Sequence, residues 1–294
     1  MGLQNFLKLI RIKSWVKNFI IFAPLFFSLK FSDTILLGNA FFAFLIFCLS
    51  CSIVYIINDI NDREQDRLHP KKKNRPLASG VIKLKQAYFT IIIFAIIIIT
   101  GFCLINKFLG MLTLAYILIN IAYSYKLKKI ALIDVFTIAV NFIIRILIGC
   151  IAVNVYPSHW IIMVTFFLSL FLGFSKRKSE IEVLGENAKN HRKVLSQYSK
   201  EALDAFKYIS VTITLISYVF YTINPEVIAN LGTDKIIYSC FFVCLGLFRY
   251  ILVSEDANKG KEGDPTTLLF KDYFLQFTII AWAIFLGLII YFKI

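Results

Sequence analysis

The chain has 294 residues, of which 59% are hydrophobic, and a formal net charge of +14 at pH 7. Its mean hydropathy of +0.74 excludes a soluble domain, because a protein of this length could not bury so many Ile and Phe side chains. Its apolar runs, such as TIIIFAIIIIT at 90–100, lack the alternation of a β-barrel strand. We therefore predict an all-α, polytopic membrane protein.

Nine segments are apolar enough to cross a bilayer, which takes about 20 residues per crossing. In chain order they are 14–31, 35–57, 86–106, 108–124, 133–154, 158–174, 206–223, 236–254 and 273–292. No small-residue cleavage site follows the first segment, so we expect an anchor and not a removed signal. We expect a single domain over 1–294, with about nine helices around a central cavity that opens to the cytoplasm.

Ahead of these segments, residues 2–13 combine an apolar face with a basic one. Lys8 and Arg11 lie opposite Leu3, Phe6, Leu7 and Ile10 when the stretch is drawn as a helix. This pattern is typical of an interfacial helix that lies on the membrane surface.

The basic residues are distributed unevenly among the connecting segments. With a cytoplasmic N-terminus, 26 of the 32 Lys and Arg residues lie in cytoplasmic segments and four in outer segments. The positive-inside rule therefore predicts that the N-terminus is cytoplasmic and the C-terminus outside, and we expect a location in the bacterial plasma membrane. Because topology accounts for the charge, we expect no nucleic-acid partner. Three charged cytoplasmic loops are long enough to carry function: 58–85, 175–205 and 255–272.

The loop after the second segment, NDINDREQDRLHPKKKNRPLASG at 58–80, concentrates charge of both signs. If the helix continues through its start, Asp59, Asp62 and Asp66 lie within about 60° of one another. Three carboxylates on one face repel each other unless a cation lies among them. Mg²⁺ prefers such oxygen ligands and commonly bridges them to phosphate. We therefore predict that these three aspartates are the catalytic residues and hold Mg²⁺.

The basic run that follows is expected to return over the same site, because His69 and Pro70 would end the helix. We predict that its cations bind the phosphate oxygens that the metal leaves free: Lys72, Lys73 and Arg75. The alternative for the lysines is a solvated loop that obeys the positive-inside rule.

The fifth segment carries a polar stripe of Asp134, Asn141 and Arg145, which fall within about 40° on one helix face. Ionisable groups inside a span usually face a cavity or a partner. We predict that all three bind substrate, with Arg145 lining the cavity near a lipid phosphate. A buried pair with another helix is the alternative for Arg145. Arg249 is also open to two interpretations: it lines the cavity, or its side chain snorkels toward the following loop.

The motif NDINDREQD (58–66) resembles the N-D-x-x-D-x-x-x-D signature of the UbiA superfamily of intramembrane prenyltransferases, and RPLASG (75–80) is similar to the segment that follows it there. A narrower branch, the decaprenyl-phosphate phosphoribosyltransferases, resembles the chain over nearly its whole length. The blocks that carry this second resemblance are WVKN (15–18), HPKKKNRP (69–76), YSYKLKK (123–129), KRKSEIE (176–182), HRKVLSQY (191–198) and RYILV (249–253).

The resemblance implies a Mg²⁺-dependent transfer of 5-phosphoribose from phosphoribosyl pyrophosphate to a polyprenyl phosphate, with release of pyrophosphate. It adds several residues of the matched blocks to the predicted substrate-binding set: Lys17, Asn18, Asn58, Tyr123, Lys126 and Lys128.

The loop after the sixth segment, 175–193, favours the phosphoribosyltransferase branch. Ordinary members of the superfamily carry a second aspartate-rich motif there, whereas this loop has Glu180 and Glu182, no paired aspartates and many cations. Substrates that bear several phosphates would explain those cations. We predict four further substrate-binding residues: Lys176, Arg177, Glu180 and Arg192. An ordinary positive-inside loop is the alternative, with Arg177 and Glu180 as a helix-surface ion pair.

Two other functions stay open at this point. An aromatic prenyltransferase of the same superfamily would share the fold and the first metal motif. A secondary transporter is disfavoured, because the charges concentrate on one side and no pair of Gly/Pro-broken helices is evident. The oligomeric state is also open, a homo-oligomer being one alternative.

Overall fold

The structure is a computed structural model that describes residues 2–68, 72–185, 193–255 and 265–293. Over these residues it is helical and contains no strand, so the predicted all-α fold class is confirmed. The α-helices are α1 Leu3–Leu9, α2 Ala23–Phe27, α3 Thr34–Asn61, α4 Arg63–Leu68, α5 Leu84–Ile105, α6 Lys107–Tyr125, α7 Ile133–Ala152, α8 His159–Leu184, α9 Lys200–Ile223, α10 Pro225–Leu231, α11 Cys240–Glu255, α12 Pro265–Lys271 and α13 Tyr273–Phe292. Between them lie 3₁₀ helices at Ile12–Phe22, Lys72–Asn74, Leu127–Lys129, Lys193–Gln197 and Lys235–Ser239.

In this part of the chain, eight helices are long and apolar enough to cross a membrane: α3, α5, α6, α7, α8, α9, α11 with the 3₁₀ helix before it, and α13. The first predicted segment, 14–31, is instead a 3₁₀ helix of 11 residues followed by the 5 residues of α2. Pro24 has no N–H to donate, so a continuous α-helix would be interrupted there. The two pieces together extend about 30 Å, which is about the thickness of the hydrocarbon core of a bilayer. Their crossing of the membrane as a ninth span therefore stays a prediction.

The α5 helix shows why the fold needs a membrane. Its side chains at Phe89, Ile92, Ile96 and Ile99 are 57–64% exposed. Water would penalise so large an apolar face, whereas lipid tails solvate it.

Helical structure extends further into the predicted charged loops than hydropathy indicated. The α8 helix continues to Leu184, so the assignment of 176–184 to a loop is wrong. The charges in this stretch are compatible with a helix because they pair along it, with Arg177 Nη1 2.7 Å from Glu180 Oε2. The α9 helix also begins earlier than predicted, capped by the hydroxyl of Ser199.

The described contacts divide the chain into two compact units. Unit 1 comprises Met1–Tyr125 and Ile144–Tyr156. Its central element is α3, which packs against α5, α6 and the first 3₁₀ helix. Phe47 of α3 is fully buried, and its ring centroid lies 4.7 Å from that of Tyr116. The end of α1 also belongs to this core, since Leu9 is fully buried.

Unit 2 comprises Lys126–Ile143 and Pro157–Ile294. Its main contact is between α8 and α9, which pack along each other. Two apolar clusters, one around Phe174 and one around Phe171, form its core. The α7 helix contributes its first part to unit 2 and the remainder to unit 1.

Candidate active site

Two aspartates of the motif at the end of α3, Asp59 and Asp66, share one arginine. Arg75 Nη1 lies 3.1 Å from Asp59 Oδ1 and 2.6 Å from Asp66 Oδ2. The aspartate side chains are only 3% and 4% exposed. Carboxylates this buried need cationic partners, because an isolated charge is strongly penalised in a low dielectric.

A second arginine, Arg11, bonds the same site. Its Nη2 donates to Asp59 Oδ1, and its guanidinium lies 4.7 Å from the ring centroid of Tyr55. Its backbone is left-handed, with φ 51° and ψ 50°, which is uncommon for a long side chain and often marks a functional position. We call Asp59, Asp66, Arg11 and Arg75 the Asp–Arg cluster.

Local backbone structure brings these residues together. Asp62 interrupts the helix, but Asp62 N bonds Asn58 O at 2.9 Å and Asp66 N bonds Asp62 O at 2.8 Å, so the helical pattern continues into α4. Arg63 Nε then donates to Leu77 O at 3.1 Å. Because Leu77 is buried in the unit 1 core, this bond fixes the returning loop that carries Arg75.

The three predicted metal ligands have different hydrogen-bond partners in the structure. Among the described residues, no group of three His, Cys, Asp or Glu side chains is placed to hold a metal ion. Asp59 and Asp66 bond arginines instead, and Asp62 Oδ1 accepts from Asn61 Nδ2 at 3.1 Å. These neighbouring cations neutralise the two buried carboxylates.

The same residues nevertheless fit a Mg²⁺ ion. The buried Oδ1 of Asn58 has no hydrogen-bond partner within the described ranges, which is unusual for a buried amide. An amide oxygen beside carboxylates is the kind of donor set that Mg²⁺ takes. The fit requires that the arginines release at least one aspartate oxygen.

Four further predicted residues lie in this part of unit 1. Lys72 Nζ lies 3.9 Å from Asp66 Oδ1, and Lys73 is exposed in the same 3₁₀ turn. Lys17 of the first 3₁₀ helix and Tyr123 near the end of α6 are half-buried.

Arg145 and Asn18 form a buried polar contact inside unit 1. Arg145 Nε donates to Asn18 Oδ1 at 2.8 Å, and both residues are buried. The guanidinium lies 5.2 Å from the ring centroid of Phe47 and 5.3 Å from that of Tyr116. Asn18 also donates to Cys48 Sγ at 3.1 Å. This geometry matches the alternative of a buried contact with another element, because aromatic rings enclose the cation.

Unit 2 holds a separate ionic cluster around the buried pair of Arg177 and Asp134. Arg177 Nε lies 2.7 Å from Asp134 Oδ2, with side chains 1% and 0% exposed. Arg177 Nη1 also bonds Glu180 Oε2 at 2.7 Å. The alternative of an ion pair between Arg177 and Glu180 is thus observed, and Asp134 extends it.

Tyr198, which the sequence analysis did not single out, completes this cluster. Its hydroxyl donates to Asp134 Oδ1 at 2.7 Å and accepts from Leu132 N at 2.6 Å. Burial, and then the hydrogen bond to Asp134, raises the pKa of Tyr198, so the hydroxyl stays protonated as a donor. We call Asp134, Arg177, Glu180 and Tyr198 the buried cluster. The only sequence signal for Tyr198 was its position in the HRKVLSQY block.

A further ionic network joins the ends of α8, α9 and α11. Lys207, whose side chain is 1% exposed, bonds Glu255 Oε1 at 2.5 Å and lies 3.1 Å from Asp204 Oδ1. Lys178 Nζ bonds the same Asp204 oxygen at 2.7 Å. These four residues were not predicted as site residues, and their pairing across three helices indicates a structural role.

The remaining predicted residues of unit 2 are placed as follows. Asn141 is buried, Lys128 and Lys176 are half-buried, and Lys126 is exposed. Arg192 lies outside the described residues.

Comparison with known proteins bears directly on this site. The model of the UbiA prenyltransferase family matches residues 19–271, which include the aspartate motif. The chain belongs to the UbiA prenyltransferase family. The resemblance inferred from the NDINDREQD motif is therefore confirmed, and so is its membership of a family of membrane transferases.

This UbiA family member is similar to curated proteins over nearly its whole length. The decaprenyl-phosphate phosphoribosyltransferase of Mycolicibacterium smegmatis is 28% identical over 99% of this chain and 93% of that protein. The protein of the same name from Corynebacterium glutamicum is 27% identical over 98% of this chain and 87% of that protein. A solved UbiA homolog from Archaeoglobus fulgidus, bound to GPP and Mg²⁺, covers 95% of this chain and 97% of its own, with a TM-score of 0.72 and 21% identity, which shows a common fold.

Proposed function

We propose that this UbiA family member transfers 5-phosphoribose from phosphoribosyl pyrophosphate to a polyprenyl phosphate and releases pyrophosphate in a Mg²⁺-dependent reaction. The observation that carries the proposal is the Asp–Arg cluster, together with the unpartnered side-chain oxygen of Asn58, which precedes Asp59 in the chain. It combines hard oxygen ligands with guanidinium groups, which is the chemistry that a metal-bound diphosphate requires. The relatives named decaprenyl-phosphate phosphoribosyltransferase support the choice of donor and acceptor.

The proposed metal ligands are drawn from Asn58, Asp59, Asp62 and Asp66. When bound, a Mg²⁺ ion there would supply charge stabilisation to the leaving pyrophosphate. Arg11 and Arg75 have side chains 27% and 28% exposed, so their guanidinium groups are accessible to phosphate oxygens. Two parallel N–H donors make each of them well suited to bind such oxygens. Lys72 and Lys73 add positive charge to the same loop.

In the proposed reaction, an oxygen of the lipid phosphate bonds to C1 of the ribose while the bond from C1 to the pyrophosphate oxygen breaks. A phosphate monoester is already anionic at neutral pH, so the protein need not supply a strong general base. Its residues would act by positioning both substrates and by stabilising the developing charge.

We assign the remaining predicted residues two kinds of role. Cations with exposed or half-buried side chains are proposed to bind the substrates' phosphates: Lys17, Lys126, Lys128, Lys176 and, outside the described residues, Arg192. Buried groups are proposed to position others, because their own polar atoms are engaged: Arg145 holds Asn18, and Arg177 with Asp134 holds Glu180. Tyr123 and Asn141 are proposed to line the substrate site.

A transfer assay tests the function directly. Membranes from an overexpressing strain would receive phosphoribosyl pyrophosphate labelled in the ribose, together with decaprenyl phosphate. We expect label in the lipid fraction, loss of transfer with EDTA and recovery with added Mg²⁺. Membranes that contain Asp66→Asn at equal abundance serve as the control. Absence of labelled lipid from folded, metal-supplied enzyme would overturn the proposal.

Prenyl transfer from a prenyl diphosphate to an aromatic acceptor is the second candidate. It is favoured by one observation, that the solved UbiA homolog of the same fold is bound to GPP and Mg²⁺. The same membranes would be given labelled prenyl diphosphate and an aromatic acid. Labelled aromatic product, without transfer of label from ribose, would replace the first proposal by the second.

We also propose that the Asp–Arg cluster lies at the cytoplasmic face, with the C-terminus outside. The support is the excess of Lys and Arg in the segments assigned to the cytoplasm. Alkaline phosphatase fused after residue 294 should then be active in whole cells, and fluorescent protein fused there should be dark. The reverse result would invert the topology.

A further inference from the structure

The Asp–Arg cluster contains as many guanidinium groups as carboxylates, and the ammonium of Lys72 lies a further 3.9 Å from Asp66 Oδ1. Two carboxylates face two guanidinium groups, and Asp59 Oδ1 accepts from both arginines. A divalent cation that entered alone would meet two cations already in contact with its ligands. Since both aspartates are almost fully buried, solvent screens this repulsion poorly. The arrangement therefore disfavours the free ion.

We propose that Arg11 makes the binding of a divalent cation conditional on the presence of a diphosphate. The inference rests on the function proposed above and adds to it a specific role for Arg11. In the structure, Arg11 bonds Asp59 Oδ1 and so places a positive charge against the carboxylate that the ion would use. A diphosphate offers the guanidinium other anionic oxygens, so the carboxylate becomes free for the ion. The two ligands then bind with positive coupling, each raising the affinity for the other.

The surroundings of Arg11 suit a change of partner. Its side chain is 27% exposed, so it can turn toward an incoming anion without losing all solvation. The face of the Tyr55 ring, 4.7 Å away, would remain a neighbour of the guanidinium in either state. The left-handed backbone at Arg11 aims the side chain from the N-terminal segment to a carboxylate 48 residues further along the chain.

This coupling would help the site to distinguish the donor substrate from the acceptor substrate. Both proposed substrates carry phosphate, but only the donor carries a diphosphate. A site that admits the ion only together with a diphosphate assembles on the donor and not on a lipid monophosphate. Arg11 would thus contribute to specificity as well as to affinity.

The experiment measures binding and does not depend on turnover. Full-length protein in detergent would be titrated with Mn²⁺ alone, with pyrophosphate alone in EDTA, and with the preformed 1:1 complex. Bound Mn²⁺ would be followed by electron paramagnetic resonance. The wild type should bind the complex at least about tenfold more tightly than Mn²⁺ alone. Arg11→Gln should bind Mn²⁺ alone at least about tenfold more tightly than the wild type, and the complex more weakly.

Three further variants make the result specific. Lys8→Gln removes a positive charge from α1, three residues before Arg11 and at an exposed side chain, and should behave as the wild type. Arg11→Lys keeps the charge and should bind Mn²⁺ alone as weakly as the wild type. If Arg11→Gln does not fold, Arg75→Gln tests the same exchange, since it removes the other guanidinium from Asp59 Oδ1 and releases Asp66 Oδ2.

Two results would overturn the inference: wild-type protein that binds Mn²⁺ alone as tightly as the complex, or folded Arg11→Gln with unchanged affinity for Mn²⁺. If transfer of labelled ribose is still observed in that case, the proposed function stands and only the coupling fails. If the wild type binds neither Mn²⁺ nor the complex and transfers no label, the proposed function itself fails.

Discussion

The Asp–Arg cluster of unit 1 and the buried cluster of unit 2 use the same chemical groups at very different exposure. The arginines of the first are 27% and 28% exposed, whereas Arg177 of the second is 1% exposed. A partly solvated guanidinium can exchange a carboxylate for another anion, because water solvates its charge during the exchange. A fully buried one cannot, since both partners would be left unpaired in a low dielectric. The first cluster is therefore suited to ligand exchange and the second to holding helices in place.

Arg177→Ala should have the largest effect of the changes considered, and it should act on stability. Removal of the guanidinium leaves Asp134 charged and buried, which costs about 3–5 kcal/mol in the free energy of unfolding. Thermal unfolding in detergent and the yield of folded protein would measure the loss. A negligible loss would contradict the structural role assigned to the buried cluster.

Two controls test that explanation. The double variant Arg177→Met with Asp134→Asn removes the uncompensated charge, so it should recover more than half of the lost stability. Arg249→Ala breaks an ion pair to Asp272 whose arginine is 32% exposed, and it should cause a smaller loss. Equal losses at the two arginines would remove the distinction based on exposure.

Asp66→Asn should act on activity instead of stability. It removes a proposed metal ligand, while Arg75 keeps Asp59 as a partner and remains partly solvated. We expect kcat/KM for phosphoribosyl transfer to fall about 100-fold, or about 2.7 kcal/mol of transition-state stabilisation, with little change in the unfolding midpoint. Glu64→Gln is the matched control, because Glu64 lies on the same short helix with its side chain 74% exposed. A large loss of stability in Asp66→Asn would mean that the Asp–Arg cluster resembles the buried cluster.

Gly149→Ala tests how the Asp–Arg cluster depends on the segment that carries Arg11. A methyl group at Gly149 would lie 2.2 Å from the backbone oxygen of Ile21, so the first 3₁₀ helix would have to move. We expect a loss of about 1–3 kcal/mol in the free energy of unfolding, together with a raised KM for the donor. Gly287→Ala is the control, since a methyl group there meets nothing within 4 Å. If Gly149→Ala lowers stability but leaves the KM for the donor unchanged, the Asp–Arg cluster does not depend on the position of this segment.

The sequence predicts those features that local composition determines. Continuous apolar runs located eight membrane helices, because lipid imposes a minimum apolar length on any helix that crosses it. The basic run was expected to return over the aspartate motif, and Arg75 does contact Asp59 and Asp66, whereas its predicted binding of phosphate stays a prediction. The first segment was predicted less well, since the effect of Pro24 and the tight winding before it leave no signal in hydropathy.

Features that depend on contacts distant in sequence were missed or given the wrong partners. Arg11 was placed on the polar face of an interfacial helix, because a helical wheel cannot anticipate a left-handed residue that redirects the side chain. Arg145 was interpreted together with its neighbours on α7, whereas its Nε donates a hydrogen bond to Asn18, which lies 127 residues away in the sequence. The end of α8 was assigned to a loop because a hydropathy scale registers the charged residues but not their pairing along a helix.

Tyr198→Phe should have the smallest effect and give the finest test of the buried cluster. It removes one hydrogen bond to Asp134 and one from Leu132 N, so we expect a loss of about 1–2 kcal/mol in the free energy of unfolding. Because burial raises the pKa of Tyr198 in the folded protein, this hydroxyl stays protonated after its unfolded counterpart ionises near about pH 10. The stability that Tyr198 contributes should therefore be constant from pH 7 to 9 and decline above pH 10. The free energies of unfolding of the wild type and of Tyr198→Phe would be measured across this range, and their difference should become smaller above pH 10. If the difference already becomes smaller below pH 9, Tyr198 is not buried as the structure indicates.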